Sequence, residues 1–162
     1  MSNIIDKMNW EQRTIDANSR FSRGQFSEAR RIYESLLAEL DQNKDHVGKV
    51  CDICKVKYVD RYWVTCQNLA DVNKSEKRPG PMTHYYFKPL QFVGEVMNRY
   101  DVYVSTYQEL QKRYDRCLHY YLQYQKDCDP EFNSRVTFDV IENTKPAKFL
   151  RQDCHAVWDH PY

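Results

Sequence analysis

Residues 18–40 read NSRFSRGQFSEARRIYESLLAEL, and this stretch decides the fold. The pattern predicts the end of one helix, a reversal at Gly24 and a second helix over about 25–41. Phe26, Ala29, Tyr33, Leu36, Leu37 and Leu40 fall on one stripe at the three/four spacing of an amphipathic helix. Gly24 reaches positive φ without steric cost, so the chain can double back there.

Upstream, residues 1–9 form a lead-in, and a first helix is expected over 10–22, with Ile15 and Phe21 apolar and Ala17 leaving room for a close neighbour. Downstream, the polar run 42–45 ends the second helix. A third is expected over 46–70, where Val47, Val50, Cys51, Cys54, Tyr58, Tyr62, Cys66 and Leu69 recur at helical spacing. Short loops make antiparallel neighbours of these three helices, giving a module over 1–72. Residues 73–88, with the run NKSEKRPGP at their start, read as a linker or exposed loop. Pro89 then suits the first position of a new helix. From Leu90, Val93, Met97, Tyr100, Val104, Tyr107, Gln111, Tyr114, Leu118 and Tyr121 alternate in steps of three and four. That is a heptad seam, and it predicts one long helix over 89–127, although YDVYVSTY at 100–107 is rich in β-branched and aromatic residues. Residues 128–162 read as a tail with a short strand at 135–141 and aromatics at Phe149, Trp158 and Tyr162. No low-complexity tract or sequence-wide repeat is visible.

Composition agrees with an all-α fold. Only 4 Gly and 6 Pro occur in 162 residues, against 41% hydrophobic residues and 13 Tyr. A formal net charge of +1 provides no global attraction to nucleic acid or anionic membrane. The N-terminus MSNIIDKMNW lacks a signal-peptide core, and no apolar run approaches the ~18 residues of a membrane span. The expectation is an intracellular protein, cytoplasmic or nuclear, whose cysteines are free thiols.

The hairpin resembles known modules. Ala17, Phe21, Gly24, Phe26, Ala29, Tyr33, Leu36 and Leu37 resemble the small/large signature of one tetratricopeptide repeat. With a third helix, residues 5–70 are also similar to the MIT (microtubule-interacting and trafficking) domain: FSEARRIYESLLAEL looks like its second helix, and KVKYVDRYWVTCQNL, with Tyr58 followed by Arg61, like its third. The resemblance implies a non-enzymatic adaptor that takes a short helical or extended protein segment in an inter-helix groove.

Helical phase places Arg30, Arg31, Lys55, Arg61 and Tyr62 at such a groove, the cations reading acidic side chains of the partner. The seam residues Val93, Met97, Tyr100, Tyr107, Tyr114, Leu118 and Tyr121 read first as internal packing. They read second as a homo-oligomer interface, which would make the chain a structural subunit. Nucleic-acid stacking on Tyr103, Tyr120 and Tyr124, with Arg99, Lys112, Arg113 and Arg116 gripping phosphates, ranks third. Cys51 and Cys54 form the one metal-like motif, with His46, Cys66 or His84 as further ligands. Placed on an apolar stripe, they read as structural thiols, and a zinc or thiol enzyme ranks last. Cys154, His155, Asp159 and His160 lack a scaffold for nucleophilic catalysis. Nucleotide-loop, hydrolase and metalloprotease motifs do not occur, and no cofactor is implied.

Overall fold

The computed structural model describes residues 8–128 together with Glu142 and Thr144. Among these the fold is all-α: α1 (Trp10–Ser22), α2 (Phe26–Gln42), a 3-10 helix (Lys44–Lys49), α3 (Asp52–Ser75), α4 (Met82–Arg99) and α5 (Val104–Cys128). The strand expected at 135–141, the tail aromatics and the Cys154 cluster lie outside the described residues.

Consecutive helices run antiparallel. Arg13 at the start of α1 bonds Glu39 near the end of α2 at 2.8 Å, while Arg30 at the start of α2 bonds Glu76, just past α3, at 2.8 Å. The rings of Tyr62 and Phe92 join α3 to α4 at 4.3 Å, and Phe87 and Tyr121 join α4 to α5 at 5.6 Å. The odd helices therefore run in one direction and the even ones in the other, with α3 packed against all four others.

Gly24 takes φ 76° as expected. The turn is a Schellman motif: Gln25 N–H bonds Arg20 C=O at 2.9 Å, Gly24 N–H bonds Phe21 C=O at 3.0 Å, and the Phe21 and Phe26 rings meet at 5.3 Å. The same turn ends α3, where Arg78 N–H bonds Asn73 C=O at 2.8 Å and Lys77 N–H bonds Lys74 C=O at 3.1 Å. There Lys77 adopts φ 55°, a conformation that costs a side-chain-bearing residue about 1 kcal/mol. The two turns are one structural repeat. Trp10, Ala17 and Ser22 of α1 correspond to Trp63, Ala70 and Ser75 of α3, and both alanines are fully buried. An Arg–Trp contact also recurs: Arg61 of α3 lies 4.6 Å from the Trp10 ring, and Arg116 of α5 lies 5.7 Å from the Trp63 ring.

Three expectations are corrected. The third helix does not start at His46. Residues 44–49 form 3-10 turns, Val50 is extended, and the ring of Tyr100 occupies the space a side chain on Gly48 would need. The segment 73–88 is mostly helical: α3 runs to Ser75, α4 begins at Met82, and Pro89 lies inside α4 rather than opening a helix. The long helix over 89–127 is a hairpin. Tyr100 turns extended, at φ −113° and ψ 140°, and the Asp52 carboxylate accepts the Tyr103 N–H at 2.9 Å, satisfying a donor freed by the break. The β-branched, aromatic run at 100–107 favours that extended turn.

The core is aromatic at the junction of α2, α3 and α4. Tyr58 and Tyr62 are fully buried and close on Phe92. Their hydroxyls donate to Leu40 C=O at 2.6 Å and to the Asp41 carboxylate at 2.7 Å. Burial alone would raise the Asp41 carboxyl, but hydrogen bonds from Lys88 and Tyr62 outweigh it and hold the pKa below the ordinary carboxylate value. Between α4 and α5, Gly94 is buried where the backbone carbonyl of Thr144 approaches, and the Tyr114 and Thr144 hydroxyls share a hydrogen bond. A Cβ on Gly94 would meet that carbonyl directly. Gly94→Ala is therefore expected to lose about 1–3 kcal/mol by overpacking, measured by urea unfolding. An unchanged midpoint would contradict this seat for Thr144.

Candidate functional site

Among the described residues a cleft lies between α1, α2 and the second half of α3. It has a volume of about 310 Å³ and is lined by Asn18, Phe21, Ser22, Tyr33, Asn68 and Asp71. Helical periodicity brings these side chains together. Asn18, Phe21 and Ser22 share one face of α1, Asn68 and Asp71 share one face of α3, and Tyr33 closes the floor from α2. Ala17 and Ala29, both fully buried, let the helices of the hairpin approach beneath it.

The Tyr33 hydroxyl donates to the side-chain carbonyl of Asn18, which engages the amide oxygen and orients the amide. Burial raises the Tyr33 pKa to about 12, with a further contribution from the negative charge of Asp71, so the phenol stays neutral and remains a donor. Asp71 is open to solvent along one side, yet desolvation by the cleft walls raises its pKa, opposed by a hydrogen bond from Gln67 and the charge of Lys74. A carboxylate held in this way gains from an incoming cation, which offsets the cost of keeping it charged. The site thus offers an aromatic wall (Phe21, Tyr33), two amides (Asn18, Asn68) and one acid (Asp71).

The residues predicted from helical phase lie elsewhere. Arg30 is committed to Glu76 and Glu34, and those hydrogen bonds, Glu76 first, raise its pKa. Lys55 is buried, and its ammonium donates to Val50 C=O. Arg61 stacks on Trp10 and bonds Glu11 at 2.6 Å. Tyr62 is in the core. Arg31 alone of the five is exposed. These side chains do not form one groove: Lys55 and Tyr62 turn inward, whereas Arg30 and Arg61 are held by carboxylates at the surface.

Comparison with family models, with curated proteins and with solved structures finds no match.

Of the seam, Val93, Met97, Tyr107, Tyr114 and Tyr121 are buried, and Tyr100 and Leu118 are partly buried against the core. It packs the α4–α5 hairpin internally. The aromatics and cations considered for nucleic acid are largely engaged within the fold: Tyr124 stacks on Tyr86 at 4.6 Å, Tyr120 lies 5.9 Å from Trp63, and Arg113 grips Asp60 at 2.9 and 3.2 Å. Cys51 and Cys54 are not on a buried stripe. Cys51 precedes α3 as its exposed N-cap residue, and Cys54 is half-buried in the first turn. Among the described residues no third ligand joins them, and Cys66 is fully buried in the core. Also among the described residues, no helix is long and apolar enough to cross a membrane.

Periodicity does not reveal Asn18, Asn68 and Asp71, because polar residues off the apolar stripe carry no periodic signal. Asn18 and Asp71 each directly follow a buried alanine, Ala17 or Ala70, and only the structural repeat shows that equivalence.

Proposed function

We propose that the protein is a non-enzymatic, intracellular adaptor whose α1–α2–α3 cleft holds a short segment of a partner protein through a basic side chain. The observation that carries this reading is Asp71, a solvent-open acid at the edge of an aromatic, amide-lined cleft whose walls raise its pKa. About 310 Å³ is at the small end of ligand sites, enough for one or two side chains rather than a large cofactor. The two Asn amides offer donors and acceptors to the main chain of an extended segment, and Phe21 and Tyr33 offer apolar contact to the stem of a Lys or Arg. The resemblance of the hairpin to tetratricopeptide and MIT modules supports the same reading. The sign of recognition is reversed from the one expected at the arginines, since Arg30 and Arg61 already have carboxylate partners.

The test is selection of random short peptides on the intact chain. Lys- or Arg-containing sequences are expected to be enriched, and Asp71→Lys is expected to weaken the selected peptide by about tenfold or more while preserving helical circular dichroism. Affinity is also expected to fall as pH drops through the Asp71 range, because protonation removes the charge that attracts the ligand. The raised pKa moves that loss to higher pH than for an ordinary carboxylate. Enrichment of acidic peptides, or indifference to Asp71→Lys, would contradict the proposal.

A further inference from the structure

The opposite end of α3 carries a second chemistry. Cys51 is the last residue before the helix, extended at φ −65° and ψ 166°, and Cys54 follows in the first turn. Cys51 is exposed, Cys54 is half-buried, and neither is joined in a disulfide. Side chains three residues apart at a helix start lie about 5–6 Å apart at Cβ. A disulfide needs about 3.8 Å, a gap that rotation of the Cys51 side chain can narrow, since Cys51 keeps an extended backbone although its C=O accepts the Lys55 N–H at 3.0 Å. Their setting is apolar on the outside. Ile53, between the two cysteines, is 71% exposed; Tyr103, whose N–H is bonded to Asp52, is 80% exposed; Val104 is 64% exposed.

The other cysteines of the described core provide the contrast. Burial pushes the Cys66 thiol well up and the Cys117 thiol to about 12, so neither is a nucleophile at neutral pH. The Cys51 thiol moves the other way, lowered chiefly by the backbone N–H of Cys54 and next by the Cys54 thiol.

We infer that Cys51 and Cys54 form a thiol–disulfide exchange site that takes a disulfide as its substrate, with Ile53, Tyr103 and Val104 as its apolar rim. The Cys51 thiolate attacks one sulfur of R–S–S–R. The Cys51–S–S–R bond forms, the substrate S–S bond breaks, and RS⁻ leaves with the proton that the Cys51 thiol gave up. The Cys54 thiol then loses its proton and attacks Cys51 Sγ, forming the 51–54 disulfide and releasing the second RSH. The protein dithiol is oxidised by two electrons, and the substrate disulfide is reduced to two thiols. An attacking thiol and a resolving thiol in one turn favour this second step over a lasting mixed disulfide.

The experiment exposes the reduced, intact protein to oxidised glutathione in one arm and to a disulfide-linked apolar peptide in the other, then traps free thiols with iodoacetamide. Trypsin releases residues 50–55, VCDICK, which contains both cysteines. The expected product is that peptide, unalkylated and lighter by two hydrogens, forming about tenfold faster than any mixed disulfide at the exposed Cys128. Cys54→Ser is expected to trap the mixed disulfide on Cys51, and Cys51→Ser to leave Cys54 reduced. Faster reaction with the apolar peptide assigns recognition to the rim, and faster reaction with glutathione assigns a small disulfide as substrate. Full alkylation of 50–55 in both arms, or a mixed disulfide persisting on Cys51 in the unsubstituted protein, would overturn the inference. The readout on the unsubstituted chain stands even if a serine variant fails to fold.

Discussion

Tyr62→Ala is expected to cost about 3–5 kcal/mol, enough to unfold most of a marginally stable domain. The ring is fully buried against Phe92, at a centroid distance of 4.3 Å, and its hydroxyl bonds Asp41 at 2.7 Å. Truncation removes the packing between α3 and α4 and leaves a cavity at the centre of the fold. Tyr62→Phe separates the two contributions. It keeps the ring and removes one hydrogen bond to a charged group, an expected loss of about 1.5–3 kcal/mol. Denaturant unfolding of both variants checks the pair, and equal losses would mean that the ring itself contributes nothing.

The second large effect is alkaline unfolding. Burial raises the pKa of Tyr33 to about 12 and of Cys117 to about 12, and raises Tyr58, Tyr62 and Cys66 further. Because the folded state holds these protons more tightly than the unfolded chain, their contribution is fully present below the unfolded values, about 8.5 for Cys and 10 for Tyr. It is lost as pH rises through the folded values, at about 1.4 kcal/mol per pH unit for each group. The five groups together are expected to unfold the protein cooperatively between about pH 10 and 12. Tyr103 and Tyr120 are exposed and report on no burial, so the readout is the phenolate absorbance of a Tyr103→Phe/Tyr120→Phe background, which should rise together with the loss of helical circular dichroism. Ionisation of Tyr33, Tyr58 and Tyr62 with helicity intact would show that these rings are not buried.

The hairpin at 18–40 is legible in the sequence because its determinants are local: a glycine for the left-handed turn and a stripe for the core. The break at 100–103 is obscured by coincidence of phase. Tyr100 and Tyr107 are seven residues apart and both pack on the core, so the heptad spacing runs on across the interruption although Val104 between them is exposed. The start of α3 is obscured similarly, since Val47 and Val50 continue the helical spacing through a segment that is not α-helical. At the candidate site, aromatic Phe21 and Tyr33 are visible as stripe residues, but the polar groups that give the cleft its chemistry are not. Arginines at exposed phases resemble partner contacts from sequence alone. Only tertiary packing shows that Glu76 and Glu11 already hold two of them.

The most direct test of the cleft is side-chain amide NMR of the intact protein, titrated with a Lys- or Arg-containing peptide from the selection. The Asn18 and Asn68 side-chain amides are expected to shift first and saturate together, with Phe21 and Tyr33 ring signals following the same curve, and Asp71→Asn is expected to abolish the response. Shifts confined to other surfaces, or saturation unaffected by Asp71→Asn, would contradict binding in the cleft.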